Sequence, residues 1–533
     1  MRRALGLMVV VAACNSPTGT MTVDVTHYDY AIDLATRDAH AAITMKVVDR
    51  GNCVAIPLRA QGLANVTLNG TAVTSGTEDA SSLTVCGDGW DDGDTVVLAG
   101  DVTVSDVAEL PSQIGFSTTK DKDGNEFTYL VSWVNGCDQF GPCDNRPDVF
   151  ATYHFDVTHD PSLTVRCPGT ITDDSPTETE CTFDYAGGPT YSTFGIAAYP
   201  AWTQTDLGMW SDVHVTVYDR ADTGIAAAID PAWHGGFIAF MEQQFGPWPY
   251  GSELRLLTAP TYWNGFEHPG NIVLADSLAK QVDSYADVVA HTIDHEMTHM
   301  WAGDQTTLAG TYDFAWKESM AEYMAFVWED MNDASISATT ASVWKADSSV
   351  VTHYPVPQDQ PDLFAYYSDV YGPGPFVFFR QLEVLSSRAQ VIAALQSVLG
   401  SPHSLSVDDL VAALAQSTGL DLDAYAAGWI KGTGTPLWPK IAASYDATTG
   451  MLHVTSSNPA MGCAFHVALV SADGSQTLSV PVDTFHNGAD QMIAAAPAFA
   501  VASYTIDPDH ECLVYPADAV PAVRSRRPWV APR

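Results

Sequence analysis

No cysteine occurs between residues 182 and 462, more than half of this 533-residue chain. No two cysteines stand in C-x-x-C spacing, so the thiols do not form a metal site of that kind. Basic residues are also scarce. Against 64 Asp and Glu there are 23 Lys and Arg, a formal charge of −41. That balance argues against nucleic acid or an anionic membrane surface as a partner. The acidic residues are scattered and form no single tail, as expected of a solubilising surface. The apolar run over residues 4–13 is far too short to span a bilayer. No repeat of 20–50 residues is visible.

Material for packed cores is plentiful. Hydrophobic residues make up 46% and aromatics 10% of the chain, and the length predicts two to four domains. The amino terminus, MRRALGLMVVVAACNS, places Arg2 and Arg3 before a short apolar stretch, the pattern of an export signal. Residues 11–14, Val-Ala-Ala-Cys, resemble a bacterial lipobox. That resemblance implies cleavage before Cys14 and a lipid anchor there, in the outer membrane or cell envelope. The alternative is an ordinary signal with a coincidental cysteine, in a secreted or periplasmic protein. The other eight cysteines fall in local pairs, which in an exported chain suggests disulfides. The nearest pairings are 53–86, 137–143, 167–181 and 463–512, although eight cysteines allow 105 connectivities.

The pattern along the chain divides it. Residues 1–13 read as a signal and 14–21 as a tether. From 22 to 203, alternating runs such as ITMKVVD and DTVVLAGDVTV, punctuated by Gly, Asp and Asn, predict a sandwich-like β-domain. Residues 204–437 mix strands (VHVTVYD, SELRLLTAP) with helical patterns over AIDPAWHGGFIAFMEQQFG, 284–302, 315–330, 375–387, 389–398, 406–417 and 422–430. Alternation returns from 438 to 515, predicting a small β-sandwich, and 516–533 read as a tail. The fold class expected is multidomain α+β.

Within the helical region lies HTIDHEMTHMWAGD, residues 291–304. Val289, Ile293, Met297 and Met300 recur at helical spacing and predict a core-facing stripe. His295 and His299 are four apart and share another face, so both imidazoles can ligate one zinc ion. Glu296 between them can flank the metal without binding it and take a proton from water. In FAWKESMAEYMAFVW, Glu318 lies 19 residues beyond His299, a spacing similar to that of enzymes whose zinc is held by two His and one Glu, and is the expected third ligand. Glu322, one turn on, is expected to orient a ligating imidazole. His291 reads as a structural or supporting histidine. One zinc ion is the cofactor expected.

HEMTHMWAGD followed by WKESMAEY resembles peptidase family M1, the gluzincin aminopeptidases. Four further segments agree. FGPWPYGSELRLLTAPTYWNGFEHPGNIVLAD (245–276) carries Gly265, Phe266, Glu267 and His268 at the family's Gly-x-Met-Glu-Asn exopeptidase motif. VYGPGPFVFFRQLEVL (370–385) places Tyr371 at the catalytic tyrosine, with Tyr366 and Tyr367 as rivals in register. FGPCDNRPDVFATYHFDV (140–157) and LDAYAAGWIKGTGTPLWPK (422–440) resemble flanking signatures. The resemblance implies a thermolysin-like mixed α/β catalytic domain, zinc held by His295, His299 and Glu318, and Glu296 as general base. It also implies Glu267 as acceptor of a substrate's free α-amine, with Gly265, Phe266 and His268 at the substrate. Peptides with a free amino terminus are the expected partners.

The chain departs from the family pattern in places. Phe266 stands for the usual Met, His268 for Asn, and Pro373 for a basic residue. The glutamine that helps bind the amine is sought in residues 128–139, with Gln139 a weak match. The length after residue 437 predicts a short form without the large C-terminal helical domain. An open-cleft endopeptidase and a non-catalytic peptide-binding relative are the alternatives.

Overall fold

The computed structural model describes residues 18–519 apart from 74–75, 79–80, 107–114, 122, 186–193, 262, 282–284, 368 and 371. Cys14, its neighbours and Tyr371 therefore lie outside the described residues.

The N-terminal part is β-rich. Its largest sheet runs Thr170–Asp174, Glu178–Phe183, Thr152–Thr158, Thr22–Asp33, Asp38–Asp49, Thr95–Thr103, Gln61–Leu68 and Thr71–Ala72. Alternation sets which face is buried, because successive side chains point to opposite sides of a strand. In Thr22–Asp33 the inward set is Val23 and Val25, then Tyr28, Tyr30 and Ile32. The change of parity falls at an irregularity in pairing between Val25 and His27, as a β-bulge requires. A second sheet orders Thr164–Arg166, Phe194–Tyr199, Glu126–Ser132 and Gly115–Lys120. The strand Glu126–Ser132 ends directly before Trp133, which it delivers to the neighbouring region.

The middle region is mixed. A five-stranded sheet orders Thr203–Trp210, Val213–Asp219, Glu253–Ala259, Asn271–Ala275 and the two-residue strand Gly265–Phe266. The central pairings are parallel, and Gly265–Phe266 runs antiparallel at the edge. Helix Pro231–Phe245 starts where Asp230 accepts from the amides of Ala232 and Trp233. Helix Val288–Thr298 starts where the Asp287 side chain accepts from Ala290 N at 3.0 Å. These caps satisfy amides that the first helical turn leaves unpaired. Helix Phe314–Asn332 packs against Val288–Thr298. The predicted stripe is core: Val289, Ile293, Met297 and Met300 are each no more than 2% exposed.

Several elements differ from expectation. The first site helix begins at 288, not 284, because Asp287 caps it. The segment predicted helical over 375–387 is helical as far as Leu385, but its first part, Phe376–Arg380, is wound as a wider π-type turn. A helix over Ala334–Ser348 has no counterpart in the helical patterns read from the sequence. Its residues, ASISATTASVWKADS, are rich in Ser and Thr, which carry little helix preference. Asp333 caps it, and burial of Trp344 anchors it.

Two further sheets close the described chain. One orders Asp490–Ala494, Met451–Ser456, Lys440–Asp446 and Tyr515–Pro516; the other orders Thr477–Asp483, Ala464–Ser471 and Val501–Ile506. They are tied to the helices by a Lys345–Asp507 ion pair and by Gln381, whose Oε1 accepts from Leu513 N at 2.9 Å. All four expected disulfides are present: Cys53–Cys86, Cys137–Cys143, Cys167–Cys181 and Cys463–Cys512.

Cys463–Cys512 spans the longest segment, 49 residues, so it restricts the unfolded chain most. Replacing both cysteines by alanine is expected to cost about 4 kcal/mol, confined to the C-terminal sheets. Hydrogen exchange should show lost protection in Ala464–Ser471 while the helix Val288–Thr298 is unchanged. Unaltered protection in that strand would contradict the assignment.

Candidate metal centre and cleft

Two antiparallel helices build the site from residues spaced in whole turns. Val288–Thr298 and the residue after it present His291, His295 and His299. Phe314–Asn332 presents Glu318, Glu322 and Glu329. The two rows interlock. His291 Nδ1 lies 2.7 Å from Glu329 Oε1, and its Nε2 lies 3.1 Å from Glu322 Oε2. His295 Nδ1 lies 3.1 Å from Glu322 Oε1, and its Nε2 lies 3.2 Å from Glu318 Oε2. His299 Nε2 lies 3.5 Å from the same Glu318 oxygen. The result is an alternating row of imidazoles and carboxylates, nearly all of it removed from water.

The far end of the row is structural. Burial alone would lower the His291 imidazole, but the carboxylates of Glu322 and Glu329 outweigh it and push its pKa up to about 10. His291 is thus an imidazolium clamped between two carboxylates. Burial raises the Glu322 carboxyl, but His291 and then His295 hold it well below the usual carboxylate range. Glu322 Oε2 also accepts from Tyr285 Oη at 3.1 Å and from Trp344 Nε1 at 2.6 Å. Glu329 Oε2 accepts from Thr340 Oγ1 at 2.6 Å. Both Trp344 and Thr340 come from Ala334–Ser348.

At the near end, donor atoms converge. His295 Nε2 and His299 Nε2 are 3.1 Å apart, and Glu318 Oε2 is 3.2 and 3.5 Å from them. A tetrahedral zinc ion with bonds of about 2.0–2.1 Å needs its ligand atoms about 3.3 Å apart. The three atoms already stand at that separation. Their outer atoms are committed elsewhere: His299 Nδ1 is 3.1 Å from Ala302 O, and His295 Nδ1 faces Glu322. With Nδ1–H directed outward, each ring can turn its Nε2 lone pair inward, as a metal ligand must. The donor set of two imidazoles and one carboxylate suits zinc and leaves a fourth position open.

Glu296 lies beside this triad on the cleft side. One of its oxygens is within 4.8 Å of donor nitrogens of both histidines. Burial pushes its carboxyl up to about 8; His295 opposes this, while Glu267 and Glu318 add to it. Gly265 is required here. A Cβ at that position would meet Glu296 Oε1 at 2.2 Å, so the edge strand can approach the carboxylate only without a side chain. Phe266 and Trp263 are in ring contact and line the cleft, as do Phe314 and Tyr367.

Glu267 also lines the cleft. Its Oε1 accepts from Trp133 Nε1 at 3.1 Å and from Lys317 Nζ at 2.6 Å. Burial opposes ionisation, but the Lys317 ammonium holds the Glu267 carboxyl low, at about 2. Lys317 Nζ also donates to Glu318 Oε1 at 3.0 Å. Asp304, in the turn after His299, is fully buried, and neither carboxyl oxygen has a hydrogen-bond partner among the described residues. Burial raises its carboxyl well above the usual range.

The structure thus brings together His295, Glu296, His299, Glu318, Gly265, Phe266 and Glu267 at one cleft, with Glu322 directly behind it. His268 does not join the cleft wall. Its ring is buried, stacks on Phe266 and occupies the space that a side chain at Gly195 would need. Of the rivals to Tyr371, Tyr366 hydrogen-bonds Pro355 O, whereas Tyr367 lines the cleft. Gln139 sits elsewhere, in a recess with Arg37 and Arg59. From the segment in which a glutamine was sought, it is Trp133 that reaches Glu267. Trp133 and Lys317 carry no motif signal of their own; only the fold places them at the site.

The same residues can be compared with known proteins. The sequence model described as "Peptidase family M1 domain" matches residues 236–429. Aminopeptidase N of Streptomyces lividans is 23% identical over 355 residues, 59% of this chain and 39% of that protein. A probable aminopeptidase 1 of Sulfurisphaera tokodaii is 28% identical over 206 residues, 35% of this chain and 26% of that protein. The chain therefore matches well under half the length of these curated relatives. An M1 zinc metallopeptidase from Deinococcus radiodurans superposes with a TM-score of 0.63 at 18% identity, covering 78% of this chain and 95% of that one. A mutant of that M1 zinc metallopeptidase, described as bound to a Tyr-Ser-Ala substrate, gives 0.62 at 19% identity over 78% and 96%. Both interlocking helices lie inside residues 236–429, the segment that is similar to the peptidase family M1 domain.

Proposed function

We propose that this protein is a zinc metallopeptidase that removes residues from the amino end of peptides. The observation that carries the reading is the convergence of His295 Nε2, His299 Nε2 and Glu318 Oε2, about one tetrahedral edge apart, with Glu296 on the cleft side. Zinc held by these three residues supplies a Lewis acid that brings the pKa of water toward neutrality and polarises a peptide carbonyl. The protein supplies the rest. Glu322 and Ala302 O hold the two imidazoles in the tautomer that ligates. Glu296 takes the proton of the attacking water and returns it to the leaving amine. A tyrosine hydroxyl donates to the developing oxyanion. Motif resemblance assigns this to Tyr371, and Tyr367 is the cleft-lining alternative.

The substrate chain is read at Gly265–Phe266. This strand is the sheet edge, so a peptide can add beside it through backbone hydrogen bonds. Glu267, the next residue, meets the substrate's amino end. The leader and Cys14 support an exported, lipid-anchored location, and four disulfides fit an oxidising compartment.

Chelator should abolish turnover of aminoacyl anilides, and one equivalent of zinc should restore it. Glu296→Gln should keep its zinc and lose about 10²- to 10⁴-fold in kcat, read from initial rates alongside metal analysis. Full turnover by that variant would exclude the assignment. Glu322→Gln should fold and bind zinc about 10- to 100-fold more weakly, measured by competition with a chromophoric chelator. Unchanged affinity would show that Glu322 does not orient His295.

A further inference from the structure

A carboxylate that recognises a free α-amine does so through charge: the buried anion attracts a cation and rejects a neutral group. Here a cation is already in place. Lys317 Nζ lies 2.6 Å from Glu267 Oε1, and among the described residues both hydrogen bonds donated to the Glu267 carboxylate, from Lys317 and Trp133, fall on that oxygen. The lysine is not a surface chain folded inward. It is fully buried, and its stem crosses Gly303, where an added Cβ would lie 2.5 Å from Lys317 Cε. Gly303 also holds φ at +137°, so few other residues fit there. The ammonium stands 5.5 Å from the Phe314 ring centre and 5.9 Å from that of Trp133, within reach of cation–π attraction. Its second bond goes to Glu318 Oε1, the oxygen turned away from the converging imidazoles.

We propose that Lys317 determines specificity by supplying an internal counter-ion at the amine seat, so that peptides with a blocked, neutral amino terminus are substrates as well as free ones. The proposal rests on the reading of Glu267 as the group that meets the substrate's amino end. With Lys317 on Oε1, only Oε2 remains for the substrate, and the carboxylate's charge is balanced within the protein. A substrate ammonium gains one hydrogen bond at Oε2 but meets Lys317 as a like charge across the carboxylate. A neutral N-acyl amide can donate to the same oxygen without that repulsion. Glu267 then marks the position of the chain end without demanding its charge.

The test is the ratio of kcat/KM for a free aminoacyl anilide to that for its N-acetyl form, which is independent of the active fraction in each preparation. The wild type should show a ratio within about tenfold of one, far from the 10⁴–10⁵ of a site built to reject one form. Lys317→Met should raise the ratio at least about tenfold, chiefly by lowering KM for the free substrate, whereas Lys317→Arg should keep the wild-type ratio. Lys317→Gln is the second neutral variant in case the first does not fold. Binding gives a readout without turnover. On Glu296→Gln protein, a free dipeptide and its N-acetyl form should have similar Kd values by calorimetry, diverging when Lys317→Met is added. A wild-type ratio above about 10³, or a ratio that the neutral variants leave unchanged, overturns the proposal. Absence of any turnover in zinc-loaded wild type would refute the peptidase reading itself, while the binding comparison still decides the role of Lys317.

Discussion

The structure hangs on one alternating row: Glu329, His291, Glu322, His295, Glu318 and His299, taken from two facing helices. Buried charges are costly unless each is paired, and removing one partner commonly costs about 3–5 kcal/mol. Here every carboxylate has an imidazole and every imidazole a carboxylate, so no member can shift without exposing its neighbour to an unpaired charge. Three turns of helix are locked in register by this chemistry. The apolar stripe of Val289, Ile293, Met297 and Met300 fastens the first helix to the core, and the row fixes its rotation.

The row also grades its chemistry from one end to the other. At His291 it is a salt bridge, with the imidazolium held between two anions. At His299 and His295 it becomes a pair of Nε2 atoms converging on one carboxylate oxygen. Glu322 is the hinge between these regimes, since it serves His291 with one oxygen and His295 with the other. Beyond Glu318 the sequence of charges continues through Lys317 to Glu267. Glu318 and Glu267 are therefore joined by a single buried ammonium, that of Lys317. Two glycines make room for this: Gly265 for Glu296, and Gly303 for the Lys317 stem.

Much of this was legible in the residues alone. The pairing of His295 with His299 follows from helical periodicity, because a local rule places four-apart side chains on one face; Glu318 was expected from its likeness to the spacing of known zinc enzymes. The β-regions and all four disulfides were readable for the same reason: they are short-range patterns. What escaped was long-range. Trp133 comes from a strand end more than 100 residues away and bears on Glu267 only after the β-rich part has folded. Lys317 looks like any charged residue in a helix, and its importance comes from burial, which sequence does not display. The helix Ala334–Ser348 was missed because its Ser- and Thr-rich composition has weak intrinsic preference, yet it carries Trp344 and Thr340 to the row. His268 shows the converse. Its motif position pointed to substrate, but its ring packs beneath Phe266 against Gly195.

The most direct measurement is a crystal structure of the zinc-loaded protein with anomalous data collected at the zinc edge. The account predicts a single strong peak about 2.0–2.2 Å from His295 Nε2, His299 Nε2 and a Glu318 oxygen. It also predicts Lys317 Nζ still in contact with Glu267. A peak elsewhere, such as at His466, Asp509 and Glu511, where donor atoms also cluster, would contradict it. So would a zinc ion at the triad with Lys317 swung away from Glu267.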